Sequence, residues 1–161
     1  MIGNDIVDLA LAQKESNWKR NGFLDKIFTK KEQVLILNSQ NSENMVWNLW
    51  SRKEAAYKIY NRQTGIRVYN PLQLECNFDS ETSGLITIKE HTYYTKTSIS
   101  SQYIYTIAVI NFTDFQTIQY MESTKNIVKM NGIPNRFDSL KSVLKPASIT
   151  HHGRFTRVIA L

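Results

Sequence analysis

The chain has 161 residues, 42% of them hydrophobic and 11% aromatic, enough for one packed domain with a sizeable core and too apolar for a disordered chain. Its single cysteine, Cys76, excludes an intrachain disulfide and a cysteine-based zinc site. An excess of 20 Lys and Arg over 14 Asp and Glu gives a net charge of +6, which favours an anionic partner: nucleic acid, a phosphorylated small molecule or an acidic protein.

The first residues, "MIGNDIVDL", place Ile2, Ile6 and Val7 in a short apolar strand. They carry neither the basic region nor the long apolar run of a signal peptide. No stretch reaches the roughly 18 apolar residues of a spanning helix, so a soluble, cytoplasmic protein with no membrane partner is expected. Polar helical sequence follows to about residue 28. "TKKE" has the capping-box spacing of Thr29 and Glu32 and opens a second helix through "QVLIL". After the polar break "NSQNSEN", Ser42 is placed to cap a long helix that runs to about Arg62 and stops at Gly65.

The period then changes. "LQLECNF" alternates, putting Leu72, Leu74, Cys76 and Phe78 on one face of a half-buried strand. A turn at "DSETSG" leads to "LITIKE", and the β-branched and aromatic runs "HTYYTKTSI" and "YIYTIAVI" follow. Residues 113–147 hold only amphipathic fragments with Gly132, Pro134 and Pro146, and no element is assigned there. "RFTRVIAL" reads as a last strand. Helices first and strands later indicate an α+β domain with an antiparallel sheet. One echo stands out: "SISSQYIYTIAVI" from Ser98 and "SITHHGRFTRVIAL" from Ser148.

Two places carry candidate chemistry. In "WNLWSRKEAAYKIY", Glu54 and Lys58 are spaced i,i+4, which by itself describes a surface ion pair worth about 0.3–0.5 kcal/mol. Yet Trp47, Trp50, Ser51, Glu54 and Lys58 share one side of the helix, and a carboxylate among indoles calls for a cation or a metal. Asp5 and Asp8 interrupt an apolar strand, where Asp is disfavoured. Asp8 suits a helix cap; Asp5, inside the run, does not. The histidines are His91, His151 and His152, and no zinc-protease, P-loop or serine-hydrolase motif accompanies them.

Together, "IGNDIVDL" and "WSRKEAAYK" resemble the two signature motifs of the 4′-phosphopantetheinyl transferase superfamily, Gly-x-Asp-[Ile/Val] on a strand and Trp-[Ser/Ala]-x-Lys-Glu-[Ala/Ser]-x-x-Lys on a helix. "KIFTKKE", "TGI" and "SIS" are supporting matches, and the likeness covers roughly residues 1–111, as in the small holo-acyl-carrier-protein synthases. Residues 112–161 would be a C-terminal extension of one 1–161 domain. The resemblance implies a 4′-phosphopantetheinyl transferase-like fold in which a long central helix packs on the sheet. It also implies Mg²⁺-dependent transfer of phosphopantetheine from coenzyme A to a serine of an apo acyl or peptidyl carrier protein, with 3′,5′-ADP released. By the match, Asp5 and Glu54 would hold Mg²⁺, Lys58 would contact phosphate and assist the leaving group, and Lys53 would lie near the coenzyme. Glu54 is the candidate general base.

The sequence departs from the pattern at two points. Val7 stands where two-lobed members carry a second acid, and Ser101 stands where the small enzymes carry a coenzyme-binding histidine. "ITHHGRF" resembles the Ile-Ser-His-Ser-Gly-Arg stretch of two-lobed members. The expectation is that residues 148–161 return to the first strand, of the same or a neighbouring chain, bringing His151 to a coenzyme phosphate with help from Arg154. Small members trimerise with sites between subunits, so a homo-oligomer is open, as is replacement of the neighbour by this tail. Two rivals remain on the residues alone: a basic nucleic-acid-binding module, and a non-catalytic relative that binds coenzyme A or a carrier protein. The carrier, whether of fatty acid or secondary metabolism, is not specified.

Overall fold

The computed structural model describes residues 1–161. Strand β1 (Ile2–Asp8) is buried along its whole length. Asp8 then caps α1 (Leu9–Glu15), its side chain accepting from the Ala10 and Leu11 N–H groups. The polar helical stretch expected to residue 28 is broken: Gly22 turns the chain in the left-handed region, and α2 (Phe23–Ile27) follows as a separate short helix. Thr29 and Glu32 form the expected capping box on α3 (Lys30–Asn38). The long helix α4 (Ser42–Thr64) ends at Gly65 in the left-handed conformation. Its cap is Asn41 rather than Ser42, because the Asn41 side chain accepts the Asn44 N–H and Ser42 is the first helical residue.

Five strands follow α4 before residue 111 or complete the first sheet: β2 (Glu75–Phe78), β3 (Ser83–Ile88), β4 (His91–Ile99) and β5 (Tyr103–Val109), with β1. They pair antiparallel in the order β1-β5-β4-β3-β2. The strand expected from Leu72 starts later, since Asn70 and Pro71 set a turn of 3-10 helix that leaves Leu72 43% exposed. Helix α4 lies across this sheet and buries Val46, Leu49, Ala55, Ala56 and Ile59 against it. No helix is long and apolar enough to cross a membrane.

The extension contains more than a last strand. It forms a second sheet from β6 (Gln119–Met121), β7 (Ile127–Met130), β8 (Ile133–Asp138), β9 (Val143–His152) and β10 (Phe155–Ala160), ordered β6-β10-β9-β8-β7. The echoed segments fall on two hairpins, β4–β5 and β9–β10, which flank β1 on opposite edges.

β1 therefore has two kinds of neighbour. Toward β5 it makes a backbone ladder, with Asp5 opposite Thr106. Toward β9 its N–H groups are taken by side chains at alternate positions. Asn4 donates to Ser148 Oγ at 3.1 Å, Ile6 to Thr150 Oγ1 at 3.2 Å, and Asp8 to His152 Nδ1 at 2.8 Å. These bonds satisfy an edge that burial would otherwise make costly. Residues 148–152 thus return to the first strand of their own chain.

Candidate active site

Gly3 decides how closely β1 approaches α4. A Cβ there would collide with the Ala55 carbonyl oxygen, so only glycine permits this separation. Beneath the contact, Ser51 Oγ bonds Thr106 Oγ1 at 2.6 Å, and Thr97 joins Thr106 at 2.9 Å and accepts from Arg52 Nε at 3.2 Å. Arg52 also donates to Asn48 Oδ1 and to the carbonyls of Ser80, Glu81 and Ser83. This buried polar chain fixes the rotation of α4 over the sheet. Asp5 from β1 and Glu54 from α4 then line one cavity of about 260 Å³, with Trp47, Trp50 and His151.

The two carboxylates are poorly compensated. Asp5 is 9% exposed; burial pushes its carboxyl up to about 6, against the pull of Lys58 and a hydrogen bond from Thr150 Oγ1 at 3.2 Å. Burial, and then the charge of Asp5, pushes Glu54 up to about 7. Lys58 lies 3.8 Å from Asp5 and makes no ion pair with Glu54. Its ammonium donates to the Asn4 carbonyl at 2.6 Å and the Ile149 carbonyl at 3.3 Å, bridging β1 and β9, and burial lowers its pKa. One ammonium thus serves two crowded hard-oxygen donors, a set suited to a divalent cation. No group of three or more His, Cys, Asp or Glu is assembled.

Of the six residues singled out in the sequence, Asp5, Glu54, Lys58 and His151 come together. Lys53 does not. It is 0% exposed, paired with Glu32 Oε2 at 2.7 Å, and its remaining protons go to the carbonyls of Ile27 and Pro71. With all three ammonium protons used inside the protein, Lys53 is withdrawn as a coenzyme contact. Arg154 stands at the margin: its Nε and Nη2 grip Asp8 at 2.8 Å each, and its backbone N–H adds a third bond. Gly153 makes the turn before it, with a positive φ and no room for a Cβ beside Asp8. Within "ITHHGRF", Thr150, His152 and Arg154 therefore hold β1, while exposed His151 borders the site.

Sequence reasoning missed a second, larger cavity of about 400 Å³ on the other side of His151. Tyr57, Lys58 and Arg62 of α4, Lys129, and Ser148 to His151 of β9 contribute to its lining, which includes no carboxylate. The excess of positive charge was its only trace in the sequence. Arg62 is committed to Asn135 Oδ1 and the carbonyls of Pro134 and Ala147, so it anchors the second sheet while adding positive potential. Tyr69 was also missed. Its ring packs against Trp50 and Tyr57 with centroids 5.8 and 4.8 Å away, and its buried hydroxyl, beside Glu54, makes no hydrogen bond of normal geometry.

Known proteins share this fold. A family profile for the 4′-phosphopantetheinyl transferase superfamily matches residues 1–120. Among solved structures, holo-acyl-carrier-protein synthase from Helicobacter pylori, in complex with coenzyme A, has a TM-score of 0.52 at 18% identity, covering 69% of this chain and 100% of its own. The Bacillus anthracis synthase, in complex with CoA (3′,5′-ADP), has a TM-score of 0.52 at 21% identity, covering 68% and 93%. The Thermotoga maritima synthase has a TM-score of 0.52 at 13% identity, covering 78% of each chain. No curated protein matches. With three quarters of its length inside the family profile, the chain belongs to the 4′-phosphopantetheinyl transferase superfamily.

Proposed function

We propose that this chain, a phosphopantetheinyl transferase by family, moves the 4′-phosphopantetheine group of coenzyme A onto a serine of an apo acyl or peptidyl carrier protein and releases 3′,5′-ADP. The observation that carries the reading is the meeting of two unlike cavities at His151: one holds the carboxylates Asp5 and Glu54, the other is cationic and free of carboxylates. A polyanionic nucleotide fits the second, which brings its pyrophosphate to the first. The coenzyme complexes of the Helicobacter pylori and Bacillus anthracis synthases support the same substrate.

Asp5 and Glu54 are the residues that would hold Mg²⁺, which when bound supplies charge neutralisation for the pyrophosphate. Lys58, between the two cavities, donates to phosphate oxygens and stabilises charge on the departing 3′,5′-ADP. His151 contacts a phosphate from the β9 side. The serine oxygen forms a bond to the phosphorus nearer the pantetheine, the bond from that phosphorus to the bridging oxygen breaks, and the bridging oxygen leaves with the ADP. Glu54 is the carboxylate placed to accept the serine proton, directly or through a water. β9 belongs to the same chain and brings His151 to the site. The net charge of +6 suits an acidic carrier protein and speeds its encounter at low salt. In this reading the enzyme works in the cytoplasm.

A nucleic-acid-binding module leaves the buried Asp5 and the half-buried Glu54 without a role. The test is chromatography of the nucleotide products after incubation with coenzyme A, Mg²⁺ and an apo carrier protein. Carrier-dependent appearance of 3′,5′-ADP is expected; intact coenzyme A with a panel of carriers refutes the reading.

A further inference from the structure

After Gly65 the chain turns back along α4 instead of leaving it. Asn61 Nδ2 donates to the Ile66 carbonyl at 2.8 Å, the Tyr57 hydroxyl to the Arg67 carbonyl at 2.5 Å, and Lys53 Nζ to the Pro71 carbonyl at 2.8 Å. Helix residues of falling number thus hold loop residues of rising number. Tyr69 lies between the last two anchors, level with residues 53–57 of the helix. Lys53, withdrawn as a coenzyme contact, is one of the pins that place it. The Tyr69 ring packs on both Trp50 and Tyr57, with centroids 5.8 and 4.8 Å away. Positions 50, 54 and 57 form one helical stripe, so a ring that touches the outer two covers Glu54 between them. The Tyr69 hydroxyl is buried and has no hydrogen-bond partner. It lies near enough to Glu54 to favour the charged carboxylate, although burial and the charge of Asp5 outweigh it. A buried hydroxyl left unmatched is unfavourable unless another state of the protein supplies its partner.

We infer that Tyr69 is a positioning residue for Glu54: its hydroxyl donates to one oxygen of the ionised carboxylate and leaves the other oxygen free for the divalent cation. The inference rests on the reading of Asp5 and Glu54 as the residues that hold that ion. Carboxylates that ligate a metal are ordinarily fixed by a hydrogen bond from an outer group, and losing that group weakens metal binding. Asp5 already has such a donor in the Thr150 hydroxyl, 3.2 Å away. Glu54 has no other side-chain donor than Tyr69. The Tyr57 hydroxyl cannot substitute, because it is spent on the Arg67 carbonyl. Each of the two carboxylates is thereby served by one hydroxyl, Thr150 from β9 and Tyr69 from the loop after α4. The unmatched phenol and the crowded carboxylate answer each other: ionising Glu54 gives Tyr69 the acceptor it lacks.

The test is calorimetric titration of Mg²⁺ into the full chain saturated with coenzyme A, with no carrier protein present. Tyr69→Phe keeps the ring on Trp50 and Tyr57 and removes only the hydroxyl. Its Mg²⁺ affinity is expected to fall about tenfold. The melting temperature of the metal-free variant should hold or rise, because an unmatched buried hydroxyl is gone. Tyr69→Leu, which also removes the ring, should lose both Mg²⁺ affinity and melting temperature. Unchanged Mg²⁺ affinity in Tyr69→Phe overturns the inference and leaves the metal-site reading standing. A lower metal-free melting temperature in Tyr69→Phe also overturns it, since the hydroxyl would then already be matched inside the fold. Absence of Mg²⁺ binding by the unaltered chain overturns the inference together with the metal-site reading.

Discussion

Thr150 and Asp5 are joined across the two sheets: the Thr150 hydroxyl accepts the Ile6 N–H at 3.2 Å and donates to Asp5 Oδ1 at 3.2 Å. A residue of the extension thus orients a carboxylate of the first strand. Thr150→Val keeps the shape, strands the Ile6 N–H and frees Asp5. Stability should fall by about 1–3 kcal/mol in denaturant titration. The Mg²⁺ concentration needed for half-maximal activity should rise, and Thr150→Ser should restore both.

Gly3 is the position where backbone geometry sets the site. In Gly3→Ala the new methyl meets the Ala55 carbonyl, and β1 must withdraw from α4. Overpacking of this kind costs about 1–3 kcal/mol. Transfer activity should fall further than the stability loss explains, because the separation of Asp5 and Glu54 changes with it. Kinetics at a temperature where the variant is fully folded check this.

The crowded carboxylates give a pH dependence with a definite sign. Asp5 and Glu54 bind protons more tightly when folded, near 6 and 7, than in an unfolded chain, near 4. The metal-free folded state therefore holds more protons, and these two groups lower stability as pH rises from about 4 to 7. Added Mg²⁺ should raise the melting temperature more at pH 8 than at pH 5.5, and Glu54→Gln should remove most of that difference. Differential scanning fluorimetry across pH measures it.

At the acid end the sign is opposite. Arg154 holds the Asp8 carboxyl well below the usual carboxylate range, so this pair contributes stability above about pH 4 that disappears as pH falls through the folded value. Arg154→Leu should shift acid unfolding to higher pH, followed by circular dichroism.

Two basic residues on or near the site should behave in contrasting ways. His151→Ala should weaken 3′,5′-ADP binding by about tenfold with little change in melting temperature, since His151 is exposed and no other residue holds it. Lys53→Met breaks a fully buried ion pair with Glu32 and should destabilise by about 3–5 kcal/mol. Its binding of 3′,5′-ADP should stay unchanged while the protein is folded.

The contrast shows what local pattern could reveal. Asp5, Glu54 and Lys58 could be singled out because helical spacing and an Asp inside an apolar strand are local facts, but helical spacing by itself described only a surface ion pair, and their roles came from the resemblance to the family motifs. Lys53 was misread because its partner, Glu32, comes from another helix and is invisible to spacing along α4. The first sheet was legible in its alternation and β-branched runs. The second was not: its early strands are short, partly polar and nowhere fully buried, so β6, β7 and β8 carry little period-two signal. Strand alternation did contain one usable clue. If 148–152 is a strand beside β1, Ser148, Thr150 and His152 share one face and His151 the other, which is the division observed.

The mass of an apo carrier protein after incubation with coenzyme A and Mg²⁺ tests the central claim most directly. The account predicts a gain of one phosphopantetheine group with the full chain and none with folded Asp5→Asn or Glu54→Gln. An unmodified carrier across several acyl and peptidyl carrier proteins, or an undiminished gain with both variants, contradicts it.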